Sequence, residues 1–336
     1  MRRRTTGIRE IAEAASVSMM TVSRALRGVE GVSETKRSEI LRIAQRLNYV
    51  ANNNARSLAM ENSRIVGISL PTFANDVFAD VLSGMRGTFE GAGYSSVIDT
   101  TEYNPEAEHR WVDQMLTWRP AAVILTGKDH SREVRRKLRA SKVPTLEIWD
   151  VSEDPIDICV GIDHYNAGQI IGRYAVDLGY HAPGYVGAPL GRDTRADARL
   201  RGIREAFAAV PGSRPVRIAG RSEPHAFGAG AAGMEELLRR ERTDVVFFLN
   251  DHMAFGGMMA CQKHGLRIPE DIGIVGFNAL DLTAVLPLQM TTAMTPRKRI
   301  GVVGARNLLA RIHGVESQRA IVLPVHLIEG QTTRPQ

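Results

Sequence analysis

The chain is short of the features that mark membrane, exported or metal-dependent proteins. Its 336 residues include two cysteines, Cys159 and Cys261, far apart and in no CxxC pair. That excludes a disulfide framework or cysteine zinc site and points to a reducing cytoplasm. No stretch approaches the ~18 consecutive apolar residues that a membrane helix requires. Arg2, Arg3 and Arg4 could open a secretory leader, but Thr5 to Glu13 supply no apolar core for one, so export is not expected. HExxH, P-loop and GxSxG patterns are absent and nine histidines are scattered, so no enzyme activity, metal or cofactor is expected. No leucine heptad follows Glu329, which argues against a C-terminal tetramerising bundle.

What is present is ordinary in amount and uneven in placement. A chain 43% hydrophobic and 24% charged is a normal globular composition, and its length suits two or three compact units. The net charge of +6 lies entirely in residues 1–60, which carry eleven Lys/Arg against five Glu; the remainder carries 32 residues of each sign. A patterned basic segment at one end is the footprint of a phosphate-binding surface.

Within that segment Ile8, Ile11, Ala12 and Ala15 form the stripe of a short amphipathic helix. Ser16 and Val17 interrupt it. Ser18 then suits the N-cap of a second helix, about Met19 to Leu26, burying Val22 and Leu26. A third begins after Ser33 and buries Ile40, Ile43, Ala44 and Leu47. This is the layout of a helix-turn-helix, whose second helix enters the major groove. That helix offers Met19, Met20, Thr21, Ser23 and Arg24. The methionines either pack in the core or touch thymine methyl groups, while the polar residues suit phosphates and base edges.

The stretch from Ile8 to Val50, with SMMTVSR, VSETKR and LNY in order, resembles the headpiece of the LacI family of bacterial repressors. Two positions depart from the pattern: Ser16 replaces a turn glycine, which strains the turn, and Ala51 replaces a proline after Tyr49. The resemblance implies that Ser18, Met19, Met20, Thr21, Ser23, Arg24 and Tyr49 meet DNA. It also implies a hinge helix at 51–61 in which Asn52, Ala55 and Leu58 enter the minor groove, Leu58 as a wedge between base steps. Alone, so short and polar a segment would be mostly unfolded or an ordinary linker.

From Arg64 onward apolar runs alternate with amphipathic segments. Expected strands are Ile65–Leu70, Ser95–Asp99, Ala121–Thr126, Thr145–Trp149, Cys159–Ile162, Gly184–Gly187, Val216–Ala219, Val245–Leu249 and Ile272–Phe277. Helical patterning covers, for example, Val77–Glu90, Glu106–Trp118, Ala167–Leu178 and Met253–His264. A βαβα rhythm of this length suits two parallel-sheet lobes facing each other across a cleft at the strand C-termini. The expected class is therefore α+α/β: a helix-turn-helix headpiece (1–50), a hinge helix (51–61) and a two-lobed parallel α/β effector-binding and dimerisation domain (62–330).

The body resembles the periplasmic-binding-protein-like sensor of the same family, on landmarks such as Arg199-Leu200-Arg201-Gly202, Asn250-Asp251 and Ile274-Val275-Gly276-Phe277. Within the family, the segments PTFANDVFADVLSGMRG, YNPEAEHRWVDQMLTWRPAAVILTGKDHS and TPRKRIGVVGARNLLARIHG are similar to those of the gluconate-utilisation repressors. The likeness implies a homodimer on double-stranded operator DNA, with an effector held by Arg199 as a carboxylate or phosphate fork. Asn250 and Asp251 are implied to meet sugar hydroxyls, Asp163 to mark the lobe crossing, and Val77 and Phe78 to line the cleft. Asn278 replaces an aspartate used by many sugar-binding members, which removes like-charge repulsion and suits a sugar acid such as gluconate or 6-phosphogluconate. Lys128, Arg192 and Arg195 are weaker candidates, and Arg199 has the alternative reading of a surface ion pair.

A rival enzyme reading rests on Gly228 to Gly233, which match the GxGxxG dinucleotide fingerprint. Arg221 to His225 separate them from the preceding strand, which disfavours it. Release by the ligand or tightening by it, and repression or activation, stay open at this level.

Overall fold

The computed structural model describes residues 7–47, 49, 63–73, 76–221, 225–239 and 243–335. Asn52, Ala55 and Leu58 lie outside the described residues. The chain divides between Ser63 and Arg64 into two compact units.

The first unit is built of α1 (Ile8–Ala14), α2 (Met19–Arg27) and α3 (Glu34–Arg46). Local chemistry sets each boundary. Glu10 accepts the Gly7 amide at 2.9 Å, Ser18 Oγ accepts the Thr21 amide at 3.1 Å, and Ser33 Oγ accepts the Lys36 amide at 3.4 Å. Gly28, in the left-handed conformation at φ 69°, ends α2. Ser16 holds the turn at φ 51°, the strain its replacement of glycine implies. Ile11, Ala12, Ala15, Val22, Ala25, Ile40, Ile43 and Ala44 form one core, with Ile8, Val17, Leu26, Leu47 and Tyr49 packed on it. In so small a core, truncating Ile11 or Ile40 to alanine removes about 2–5 kcal/mol, enough to unfold the unit.

The second unit contains two six-stranded sheets. In the first lobe β1 (Ile65–Leu70), β2 (Ser95–Thr100), β3 (Ala122–Thr126), β4 (Thr145–Asp150) and β5 (Ile158–Ile162) alternate with α4 (Asp76–Gly91), α5 (Pro105–Thr117) and α6 (Arg132–Ser141). In the second lobe α7 (His164–Asp177) leads into β6 (Pro183–Gly187), α8 (Thr194–Ala208), β7 (Arg217–Gly220), α9 (Ala226–Leu238), β8 (Val245–Phe248), α10 (Asp251–Lys263), β9 (Gly273–Asn278), α11 (Leu282–Val285) and β10 (Thr291–Met294). The chain then returns through α12 (Arg297–Ile312), which packs on α4 of the first lobe. β11 (Ala320–Val322) joins the first sheet and β12 (His326–Ile328) the second. Three connections therefore cross between the lobes.

Both sheets repeat one design. Their orders, β11-β5-β4-β3-β1-β2 and β12-β10-β9-β8-β6-β7, make β4 and β9 equivalent strands. Apart from the antiparallel β10–β12 pair, every pairing is parallel. Covered by helices on both faces, the central strands are buried along their length, so they read as unbroken apolar runs. β10, β11 and β12 escaped the sequence reading because they have only three or four residues, two of them threonines in β10, and draw their stability from an existing sheet edge.

Glycines permit the closest helix contacts. A Cβ on Gly168 of α7 would stand 2.0 Å from the Arg199 carbonyl of α8, which fixes that helix's distance from the lobe crossing. Gly228 to Gly233 lie inside α9, where a Cβ on Gly230 would meet the Met253 carbonyl of α10 at 1.9 Å. The GxGxxG spacing here serves helix packing.

Candidate functional site

The first unit presents α2 outward. Met19 and Met20 are 57% and 65% exposed, which removes core packing as their role. Arg24 is also exposed and Ser23 half-buried. Ser18 and Thr21 have their hydroxyls 2.9 Å apart, so the cap and the outer face share one polar spot. Several basic side chains make local pairs, Arg9 with Glu13, Lys36 with Glu39 and Arg37 with Glu34. Exposed pairs of this kind are worth ~0–1 kcal/mol, so phosphates can outbid them. Tyr49 packs half-buried against the helical core.

In the second unit the C-terminal ends of β4, β8 and β9 and the starts of α4 and α8 converge on a cleft of about 120 Å³. It gathers Val77, Phe78, Arg199, Asn250 and Asn278 from the sequence candidates. Of the weaker candidates it takes in Arg195, and it adds Tyr103, Trp149, Asp193, Leu249 and Phe277, which were not among the site candidates. Trp149, one residue before the end of β4, and Asn278, the last residue of the equivalent strand β9, hold φ 81° and 110°. Non-glycine residues rarely hold such angles, and they concentrate where a strand end must aim a side chain into a site.

Arg199 is 6% exposed, with its guanidinium 4.3 Å over the Phe277 ring. Its Nη1 donates to His164 Nδ1 at 2.9 Å, and His164 Nε2 lies 3.0 Å from Asp150 Oδ1. A histidine that accepts at Nδ1 is the neutral tautomer with its proton on Nε2, facing the carboxylate. Burial lowers the His164 pKa, with the neighbouring Arg199 acting in the same direction. Burial alone would raise Asp150, but His164, Arg195 and Lys128 together hold it below the ordinary carboxylate value. Asp193 is likewise lowered against its burial by Arg195 and Arg199. The cleft lining thus carries two guanidiniums against one carboxylate, over an aromatic wall of Phe78, Trp149 and Phe277.

Asn250 caps α10, its Oδ1 accepting the Met253 amide at 2.9 Å, which leaves its NH₂ group for the cleft. Asn278 uses Oδ1 to accept from Thr295 at 3.4 Å, while its carbonyl accepts from Arg297. Arg297 also donates to the Ala279 carbonyl at 3.3 Å and to Asp80 Oδ2 at 2.7 Å, tying the end of β9 to α4 of the other lobe.

Four sequence candidates, Asp251, Lys128, Asp163 and Arg192, lie elsewhere. Asp251 is fully buried and turned inward: Oδ2 accepts the Leu280 amide at 2.8 Å and Oδ1 the Thr292 hydroxyl at 2.6 Å. It braces the loop after β9 and does not line the cleft, because its neighbour Asn250 takes the outward position at the helix start. Lys128 and Asp163 line a second chamber of about 860 Å³ on the lobe-crossing side, where Asp163 caps α7 through the Asn166 amide at 3.0 Å. Arg192 is exposed and lines neither chamber, whereas Arg195 lines both. Trp149, Asp193, His164 and Asp150 were missed. Their shared signal, a position at a strand end or a helix start beside the cleft, could have found them.

Comparisons with known proteins agree with this architecture. Residues 7–52 match the profile of bacterial regulatory proteins of the lacI family, and residues 173–333 that of a periplasmic binding protein-like domain. The HTH-type transcriptional regulator GntR of Escherichia coli K12 is 32% identical over 322 residues, 94% of each chain. The regulator of the same name from Pseudomonas aeruginosa is 31% identical, covering 93% of this chain and 92% of its own. Among solved structures, a LacI-family transcriptional regulator from Silicibacter pomeroyi superposes with a TM-score of 0.91 at 33% identity, over 98% of this chain and all of that one. The transcription regulator GntR from Chromobacterium violaceum gives 0.74 at 31% identity, over 80% and 99%.

Proposed function

Because the chain belongs to the lacI family of bacterial regulatory proteins and is a DNA-binding transcription regulator, we propose that it is a cytoplasmic repressor released from its operator by a gluconate-type sugar acid. One observation carries the ligand class: Arg199, buried on the Phe277 ring at the floor of a cleft lined by two guanidiniums and one carboxylate. A guanidinium anchored through Nη1 by a neutral histidine and lining the cleft suits a carboxylate, which accepts two parallel hydrogen bonds. The NH₂ groups of Asn250 and Asn278 suit hydroxyl oxygens, and the aromatic wall suits the C–H face of the carbon chain. The names of the GntR relatives support the same reading.

The mechanism is a coupled equilibrium. Ligand that prefers one arrangement of the two lobes shifts the protein toward it, and operator affinity falls by the difference in ligand affinity between the arrangements. The protein acts as a homodimer, since one recognition helix reads too few base pairs alone.

Titration calorimetry with gluconate, 6-phosphogluconate and glucose tests the ligand, and gel shifts with the upstream DNA test its effect. A charge-assisted fork is worth ~1.5–3 kcal/mol, so Arg199→Ala costs about tenfold or more in acid affinity. Arg199→Lys recovers little of it. Tighter binding of glucose than of either acid would falsify the ligand class, and tighter operator binding with acid present would reverse the sign of control.

A further inference from the structure

We infer that Arg195 sets the length of ligand that the cleft accepts, closing a one-sugar chamber against the larger chamber beyond it. The inference rests on the sugar-acid reading above. Among the described residues, Arg195 alone lines both chambers, the inner of about 120 Å³ and the outer of about 860 Å³.

Arg195 rises from the first turn of α8 in the second lobe and reaches across to the first. A Cβ placed on Gly127, just past the end of β3, would lie 4.0 Å from its Nη1. Its Nε stands 3.4 Å from Asp193 Oδ1, and Asp150 and Asp193 together raise its pKa against the burial that would lower it. It is therefore a charged bar paired with Asp193 in its own lobe, its far end reaching Gly127 in the other, where the nearby Asp150 favours its charge. The adjacent residue reinforces this crossing, because the Thr194 hydroxyl donates to Asp129 of the first lobe.

The outer chamber is furnished for a polar occupant. Lys128, Asp163 and Arg201 line it, and the Arg201 guanidinium lies 5.3 Å over the Tyr165 ring. On the sugar-acid reading, a six-carbon acid occupies the smaller chamber, on the Arg199 side of the bar. An acid carrying a second sugar must run through the position of the Arg195 side chain. Cutting that side chain back merges the two chambers.

Titration calorimetry of the full chain with gluconate and with lactobionate, which is gluconate bearing one further hexose, tests this. The wild type is expected to prefer gluconate at least tenfold, and Arg195→Ala to bind lactobionate at least tenfold more tightly than the wild type does. Asp193→Asn keeps an oxygen to cap α8 while loosening the bar, so it shifts selectivity the same way by a smaller factor. Operator binding without ligand reports that each variant is folded, and Asp193→Asn decides the matter if Arg195→Ala does not fold. Equal binding of both acids by the wild type, or unchanged selectivity in a folded variant, overturns the length gate alone. Failure of both acids to bind the wild type overturns the sugar-acid reading, and the gate with it.

Discussion

Asp251→Asn separates two roles for a residue that sits beside the cleft without lining it. Burial raises the Asp251 pKa from 3.8 to about 6, even though Thr292 and the Leu280 amide favour the carboxylate. An acid whose folded pKa lies above its unfolded value contributes stability that is fully present below pH 3.8 and is lost as pH rises through about 6. The gap corresponds to about 3 kcal/mol, of which about 2 kcal/mol falls between pH 4.5 and 7.5. Asparagine does not titrate; its oxygen can accept the Leu280 amide and its NH₂ can donate to Thr292. The melting temperature of Asp251→Asn relative to wild type should therefore rise with pH, by a few degrees across that range for a unit of this size. Differential scanning calorimetry at four or five pH values measures it. Effector affinity at pH 7.5 should stay within about threefold, since no ligand contact is removed. A melting difference that ignores pH, or a tenfold loss of ligand, would refute the brace and return Asp251 to the cleft.

Met19→Gln with Met20→Gln should alter which bases are preferred in a selection from randomised operators. Because both residues are exposed, the headpiece should keep its stability within ~0.5 kcal/mol; unchanged preference would remove them from the interface. Ser16→Gly relieves a left-handed serine and should strengthen the α1–α2 turn by about 0.5–1 kcal/mol, read from amide hydrogen exchange. Faster exchange would show that the serine side chain contributes more than its backbone costs. Arg297→Ala removes charged donors from the carbonyls of Asn278 and Ala279 and should weaken effector binding about tenfold. Arg297→Lys should restore less than half of that free energy, and wild-type affinity in either variant would mean the end of β9 holds itself.

Short-range chemistry made much of this protein readable in one dimension. Ser18 and Ser33 announced helix starts, the Ile8–Ala15 stripe announced a buried face, and apolar runs such as Ile272–Phe277 announced central strands. Each signal arises within a turn or a strand, where caps, periodicity and burial of a continuous run are decided by neighbours in the chain. The charge confined to residues 1–60 was legible for the same reason. The roles of Arg199 and Asn278 are legible in the sequence only through the family resemblance.

Tertiary structure alone decided which side chains meet. Asn250 and Asp251 are adjacent, yet one lines the cleft and the other is buried, because Asp251 finds Leu280 and Thr292 on segments that only the folded sheet brings near. Arg192 and Arg195 look alike in sequence, but only Arg195 lies on the turn of α8 that faces Asp150 and Gly127 across the lobes. A local pattern sets the direction of a helix face. The partners that face receives, and with them its charge state and its role, come from elements distant in the chain.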